Sequence, residues 1–535
     1  MFFVIESFLC SSIYADNLLA RLVQTPELGK PVPSKLSMNR QLYKKYYLKE
    51  ITRGAAKEIE LEGKNEENRF ESGGYMANDR NPPCKQGQVL AVEITDLNHR
   101  GEGVGKTGGF TLFVPQALPG EIARVEISAV RKNFAGAKLL TLEQSSPHRV
   151  NPPCPYFPEC GGCQIQHLSY EKQLAWKNEK VFETLRRIAG AEPSIQPVLG
   201  TANPWRYRNK AQVHLGIAND RVKTGFYQQR SHQIIDITDC LVQHPHNGKM
   251  INAIRQAAQE FADRKTIPAG EDPLPANRAA IRSSFSTGKS MIILTGAATS
   301  KNSPLFLKTY LQKLADLINF KAKEPPAGII LHQPDKAGDR HITLSGQPYL
   351  EEDIAPFHYR LSPRSFFQVN PGQAGILYEQ AASLSGRPRT AYDLYCGTGN
   401  FALYLSKTAE QVIGIDSDGS AIKDANENAA LNKIGNIQFI NARAEDVTDL
   451  LIKGNHPKTV FLNPPRQGCS PGLLEAIIRA KPERIVYISC SPATLARDID
   501  RLQQSSYAVK LVQPVDMFPH TSHVESVALI ERRQA

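Results

Sequence analysis

Hydrophobic positions change their spacing along this chain, and each change predicts a different kind of element. From Gly87 to about Leu142, the runs QVLAVEITDL, FTLFVPQAL, IARVEISAV and AKLLTLEQ favour β-branched residues at strand spacing. Turn signals, GEGVGKTGG and Pro119-Gly-Glu121, separate them. About four or five short strands in so short a stretch predict a small β-barrel of the OB type. Around Tyr170 to Ile188 the apolar residues recur at helical spacing, which predicts an amphipathic helix. Residues 200 to about 350 read as mixed α/β, with strands such as QVHLGI, QIIDIT, SMIILTG and ITLSG. From Pro371 onward, TAYDLY, QVIGID, IQFINA, TVFLNP and RIVYIS alternate with helical stretches. That alternation is the signature of a doubly wound parallel sheet.

The expected fold class is therefore multidomain α/β. Residues 84–145 form an OB-like barrel, 146–365 a central α/β domain carrying a cysteine cluster, and 366–535 a Rossmann-like domain. Residues 1–83 read as a poorly ordered extension, because Lys35 to Arg69 mixes charges with few apolar positions. Met76 lies just before the first well-patterned segment and is a candidate start of the native protein.

Composition narrows the classes. At 535 residues the chain needs more than one core, and 41 % hydrophobic with 22 % charged residues fits globular domains. No apolar run reaches the roughly 18 residues that span a bilayer, which argues against an integral membrane protein. Lysine and arginine number 64 against 53 acids, a net charge of +11 that suits a polyanion such as nucleic acid. Arg100, Lys106, Arg131, Lys132 and Lys138 fall in or near the barrel's turns, where such barrels carry single-stranded nucleic acid. Nine cysteines, sparsely spread, are no disulfide scaffold, and the opening MFFVIESFLC has Glu6 and no basic start, so it is a poor signal peptide. The expected compartment is the reducing cytoplasm.

The chemistry concentrates at strand ends. The first strand of the C-terminal region runs into Asp393-Leu-Tyr-Cys-Gly-Thr-Gly-Asn400, where Gly397 and Gly399 let the backbone turn tightly towards a ligand. The next strand ends at Asp416, placed to accept the hydroxyls of a ribose, and the helix after it is expected to be capped by Ser420 and stopped at Gly435. A fourth strand ends in Asn463-Pro-Pro-Arg466, a combination that points to S-adenosylmethionine rather than a nicotinamide cofactor. A fifth delivers Cys490 at its carboxyl end, where open α/β sheets place ligands. Upstream, Cys154, Cys160 and Cys163, with Cys240 as a fourth thiol, suit zinc or an iron–sulfur cluster, and spacing does not choose between them.

Those motifs, with Ser489-Cys-Ser-Pro-Ala-Thr-Leu-Ala-Arg-Asp498 and Asp516-Met-Phe-Pro-His-Thr-Ser-His-Val-Glu-Ser-Val527, together resemble the RNA uracil-5-methyltransferase family. The β-rich segment is similar to the TRAM domain of many members, and the resemblance spans about Gly87 to Glu531. It implies 5-methyluridine formation from S-adenosylmethionine. Carbon 5 of uracil is a poor nucleophile, and addition of a thiolate at carbon 6 activates it. By resemblance Cys490 is that nucleophile, and Glu525 is the base that removes the carbon 5 proton. Gln368, Tyr395 and Asp416 match cofactor positions, and Asn463 is counted with them. Asn463 departs from the usual aspartate; its carbonyl oxygen still accepts, without the charge. The resemblance also assigns the four cysteines to a [4Fe-4S] cluster. It implies an RNA partner, with large-subunit ribosomal RNA ahead of transfer RNA, no membrane, and a monomer. The competing readings are an amino-group nucleic-acid methyltransferase, which needs no cysteine nucleophile, and a non-catalytic RNA-binding iron–sulfur protein, which needs neither Cys490 nor Glu525.

Overall fold

A computed structural model describes residues 82–264, 274–296, 304–334, 340–453 and 459–533. The expected extension, up to residue 81, and the candidate start Met76 lie outside the described residues.

The first layer is built from β1 (Val89–Leu97), β2 (Gly103–Thr107), β3 (Phe110–Val114), β4 (Glu121–Val130) and β5 (Phe134–Gln144). They close into a barrel in the order β1-β2-β3-β5-β4, with β1 also paired to β4. Alternation drives the closure: Ala123, Val125 and Ile127 of β4 point inward to meet Val92, Ile94 and Leu112. Gly105 is required by the packing, because a Cβ there would sit 2.5 Å from Val92 Cγ2.

Helix α1 (Tyr170–Ala189) follows the cysteine-rich loop and stops at Gly190, whose φ of 57° is left-handed. It leads into β6 (Ser194–Ile195). The central layer is a seven-stranded sheet in the order β13-β12-β11-β10-β7-β8-β9. Its strands are β7 (Lys210–Ala218), β8 (Arg221–Tyr227), β9 (Ile234–Asp236), β10 (Ala276–Ser283), β11 (Ser290–Gly296), β12 (Gly328–Gln333) and β13 (Arg340–Gly346). Helices α2 (Pro245–Asp263) and α3 (Pro304–Lys321) share one apolar core with it.

After the hairpin β14 (Leu350–Ile354) and β15 (Phe357–Leu361) comes helix α4 (Pro371–Ser383). The chain then alternates: β16 (Thr390–Leu394), α5 (Asn400–Leu405), β17 (Gln411–Asp416), α6 (Gly419–Leu431), β18 (Ile437–Asn441), α7 (Thr448–Lys453) and β19 (Thr459–Leu462). It ends with α8 (Pro471–Ala480), β20 (Arg484–Ser489), α9 (Pro492–Gln503), β21 (Tyr507–Val515) and β22 (Glu525–Arg532). The eight-stranded sheet has the order β18-β17-β16-β19-β20-β22-β21-β6. Strands β16 to β20 run parallel and β22 enters antiparallel to β20. Apolar cores lie on both faces, as a parallel sheet requires. The order reverses at β16, so the crevice for a ligand opens at the carboxyl end of that strand.

The packing joins parts of the expected 146–365 domain to the C-terminal sheet. Val181, Leu185 and Ala189 of α1 join the core of the C-terminal sheet, and β6 pairs with β21. The β14–β15 hairpin packs there too, through Ile354, Phe357, Tyr359 and Leu361. An apolar stripe announces that a helix will pack, but its sequence does not say against which layer. The cap of α6 also differs from expectation. Asp418, not Ser420, is the N-cap, its Oδ1 accepting the Ser420 amide at 2.9 Å, and the helix ends at Leu431 with Asn432 as its C-cap, before Gly435. A carboxylate two residues earlier reaches the first free amides.

Candidate active site

The crevice at β16 is shaped by backbone that few residues tolerate. Tyr395 has φ 70°, Gly397 φ 55° and Gly399 φ 77°. At Gly399 a Cβ would also lie 2.9 Å from Phe439 Cζ, so glycine is needed for conformation and for space. Asp416, at the end of β17, holds this loop: its Oδ2 accepts the Gly397 amide at 2.9 Å and its Oδ1 the Asp418 amide at 2.9 Å. The Tyr395 hydroxyl reaches Glu445 Oε1 at 3.4 Å. Gln368 precedes α4, and its carbonyl accepts from Asn209 Nδ2 of the central layer at 3.2 Å.

Strand register brings a thiol and a carboxyl together. Ser489 of β20 pairs with Ser526 of β22, so the next residues out, Cys490 and Glu525, reach the same sheet edge. Burial raises the Glu525 carboxyl to about 7, while the Arg466 guanidinium pulls it down. Burial, reinforced by Glu525, raises the Cys490 thiol, and Arg466, donating towards the sulfur, opposes that. One cleft of about 940 Å³ is lined by Gln368, Tyr395, Asp416, Asn463, Cys490 and Glu525 together. The six candidate cofactor and catalytic residues therefore meet at one place. The cleft can hold a nucleoside-bearing ligand beside a nucleophile and a proton acceptor.

The same cleft includes residues that the sequence reading did not assign: Phe366, Glu445, His523 and the Arg466 side chain. Arg466 was visible as the last residue of Asn463-Pro-Pro-Arg466, but its role depends on facing Cys490 and Glu525. Glu445 lies after β18 without a motif around it.

The segment leading to Glu525 is held by α1. Lys177 Nζ and Asp516 Oδ1 form an ion pair at 2.6 Å with both side chains fully buried, and Tyr170 donates to Asp516 Oδ2 at 2.9 Å. Lys180 donates to Ser522 O at 2.6 Å and to His99 O of the barrel at 3.2 Å. His520 adopts φ 66° and stacks on Trp205 with centroids 3.8 Å apart. Its carbonyl accepts the amides of Gln164 and Ile165, both at 3.1 Å. The available signal in sequence was a lysine, Lys177, on the apolar stripe of an amphipathic helix.

Cys154, Cys160, Cys163 and Cys240 line a second cavity of about 400 Å³ as free thiols. Burial raises Cys163 to about 12 and Cys240 to about 11, with the neighbouring thiols acting in the same direction. Arg208 and Lys210 line the same cavity. Among the described residues, no group of three or more His, Cys, Asp or Glu side chains is arranged to hold a metal ion. No helix among them is long and apolar enough to cross a membrane.

Comparison with known proteins agrees with this architecture. A family profile described as tRNA (Uracil-5-)-methyltransferase matches residues 337–533, and a TRAM domain profile matches residues 83–140. An RNA methyltransferase of Halalkalibacterium halodurans is 39 % identical over 84 % of this chain and 98 % of its own length. One from Listeria innocua is 41 % identical over 83 % of this chain and 98 % of its own. A solved Pyrococcus abyssi tRNA (uracil-54, C5)-methyltransferase, in complex with S-adenosyl-L-homocysteine, superposes with a TM-score of 0.63. It is 27 % identical and covers 82 % of this chain and 100 % of its own. Similarity of this extent, over a crevice of this build, makes the chain a member of the S-adenosylmethionine-dependent RNA (uracil-5-)-methyltransferase family.

Proposed function

We propose that the protein methylates carbon 5 of a uridine in large-subunit ribosomal RNA through a covalent Cys490–uracil intermediate. The observation that carries the covalent route is the placement of Cys490 and Glu525 at one sheet edge, in the cleft that also holds the glycine loop. S-adenosylmethionine, when bound, supplies the methyl group. Tyr395, Asp416, Gln368 and Asn463 are the residues that would hold it, and the left-handed backbone at Gly397 fits close approach by a nucleoside.

The chain's own groups divide the proton work. Cys490 adds to carbon 6 as the thiolate, and Arg466 stabilises the negative sulfur. Glu525, with its carboxyl near 7, takes the carbon 5 proton, and the Cys490 sulfur then leaves as the thiolate. Cys490→Ala should abolish methyl transfer and leave S-adenosylmethionine affinity nearly intact. Wild-type protein should form a stable adduct with RNA carrying 5-fluorouridine, because fluorine cannot leave as a proton does. Turnover retained by Cys490→Ala would reject the covalent route.

We also assign Cys154, Cys160, Cys163 and Cys240 to a [4Fe-4S] cluster. The family resemblance chooses the cluster over zinc; in support, the four thiols line one cavity, and Arg208 and Lys210 in its lining favour an anionic occupant. Such a site needs the reducing cytoplasm, where we place the protein.

Barrel and cysteine cluster together favour ribosomal RNA. The transfer-RNA reading draws on the solved neighbour, whose substrate is transfer RNA. Nucleoside maps of ribosomal and transfer RNA from a deletion strain and its parent separate them: the missing 5-methyluridine should lie in large-subunit RNA.

A further inference from the structure

The central sheet has one face that its helices leave uncovered. Val213, Leu215, Ala279, Ile281, Leu294 and Leu331 point to α2 and α3. The intervening residues, on the opposite face, form a row across the strands. Register places His214 of β7 opposite Arg278 of β10, Arg278 opposite Thr295, Thr295 opposite His332, and His332 opposite His341. The His214 ring stacks on Tyr227 with centroids 3.7 Å apart and planes at 19°. His232 meets the Tyr227 ring edge-on at 5.2 Å. Burial, with Arg278 and His232 nearby, holds the His214 imidazole neutral. At the other end of the row, His332 and His341 stack at 5.0 Å.

On strands β7, β8 and β10 the charge of this face has one sign. Among the described residues no carboxylate pairs with Arg278, which is exposed, and Lys223 lies on the same face. The strands β7, β8 and β10 present no acid there. Asp236, on the edge strand β9, is held by Arg255 at 2.9 Å. Paired flat rings next to an unneutralised guanidinium suit a polymer with stacking bases and a charged backbone. The face also leads to the reaction centre. Lys210 and Gln212, the preceding residues on this side of β7, line the cysteine cavity together with Phe366, and Phe366 also lines the catalytic cleft.

We propose that this face binds a single-stranded segment of the substrate RNA next to the target uridine, with a base stacked on the His214–Tyr227 pair and Arg278 on a phosphate. The inference rests on the RNA methyltransferase reading but not on the covalent mechanism. A test uses the full chain and fluorescent oligouridylate, with a duplex RNA of equal length as competitor. Tyr227→Ala should weaken oligouridylate binding between about 5-fold and 150-fold, the range for loss of one stacked base, and Tyr227→Phe should restore it. Arg278→Ala should lower the slope of log affinity against log salt by about 1. Both variants should keep the wild-type methylation rate at saturating RNA, with KM raised. Unchanged affinity in both variants overturns the proposal and leaves the face to solvent or a protein partner. Equal competition by the duplex also overturns it, since paired bases cannot stack on a side-chain platform. If wild-type protein forms no 5-methyluridine in any RNA, the functional reading fails instead, whatever the oligouridylate result.

Discussion

Glu525 shows how one buried carboxyl couples activity to stability. Burial favours its protonated form, so its carboxyl lies near 7 against an ordinary 4.5. As the proposed base it works only when ionised, so where proton abstraction limits turnover the rate should rise with pH up to about 7 and level off above it. A pH–rate profile of kcat with a flat acid limb would exclude Glu525 from the limiting step. The folded state holds this proton more tightly than the unfolded chain does. Stability is therefore lost as pH rises from about 4.5 to about 7. Glu525→Gln keeps the shape without the charge, so it should be more stable than wild type above pH 7 by up to roughly 3 kcal/mol. That gap should close towards pH 4 in urea titrations. The same variant should add Cys490 to the base and complete methyl transfer, then stall, because elimination needs the proton to go. A slow-migrating methylated protein–RNA band on a denaturing gel, absent when Cys490→Ala is combined with it, is the expected result. Release of 5-methyluridine at near wild-type rate would mean another group is the base.

At the scale of elements, α1 acts as a bracket for the segment from Asp516 to Glu525. Its apolar residues fill the core under β20 to β22, while Gln173, Lys177 and Lys180 reach the segment's polar groups. Lys177 and Asp516 are both fully buried, so neither can exchange its partner for water. Lys177→Met should cost about 3–5 kcal/mol, because it strands a buried carboxylate. Lys177→Met with Asp516→Leu should recover much of that loss, since an apolar pair of similar volume avoids desolvation. Urea unfolding of the two variants checks both statements, and a single variant within 0.5 kcal/mol of wild type would show that water reaches the pair. Where Lys177→Met still folds, kcat should fall with little change in S-adenosylmethionine affinity, because the segment carries Glu525 and not the glycine loop.

At the scale of the molecule, the layers meet around the two cavities. The barrel touches the catalytic segment through Lys180, which bridges His99 and Ser522. The cysteine loop does so through Gln164 and Ile165 on the His520 carbonyl, and the central sheet grips the Gln368 loop through Asn209. Anaerobically purified protein should be brown and hold about four iron atoms per chain, as one four-iron cluster requires. Stoichiometric zinc without iron or sulfide, in cells supplied with iron, would overturn that assignment. Loss of the cluster should also loosen the His520 contact, seen as faster amide exchange at Gln164 and Ile165.

Local pattern was enough for much of this protein. Alternation in QVLAVEITDL and IARVEISAV determined barrel strands, and the strand–glycine–helix run at Asp393 to Asn400 determined the crevice, because both depend on neighbours within a few residues. Tyr395, Asp416, Asn463 and Cys490 were legible for the same reason: each lies at the carboxyl end of a parallel strand, where such strands share one edge, whereas Gln368 and Glu525 were picked out only by the family resemblance. What the sequence left open were relations between distant segments. The docking of α1 on the C-terminal sheet, the pairing of Lys177 with Asp516, the placement of Arg466 against both Cys490 and Glu525, and the row from His214 to His341 join residues separated by tens to hundreds of positions. Their side chains carry no local signal of a partner. Only the packing of the layers decides which of them meet.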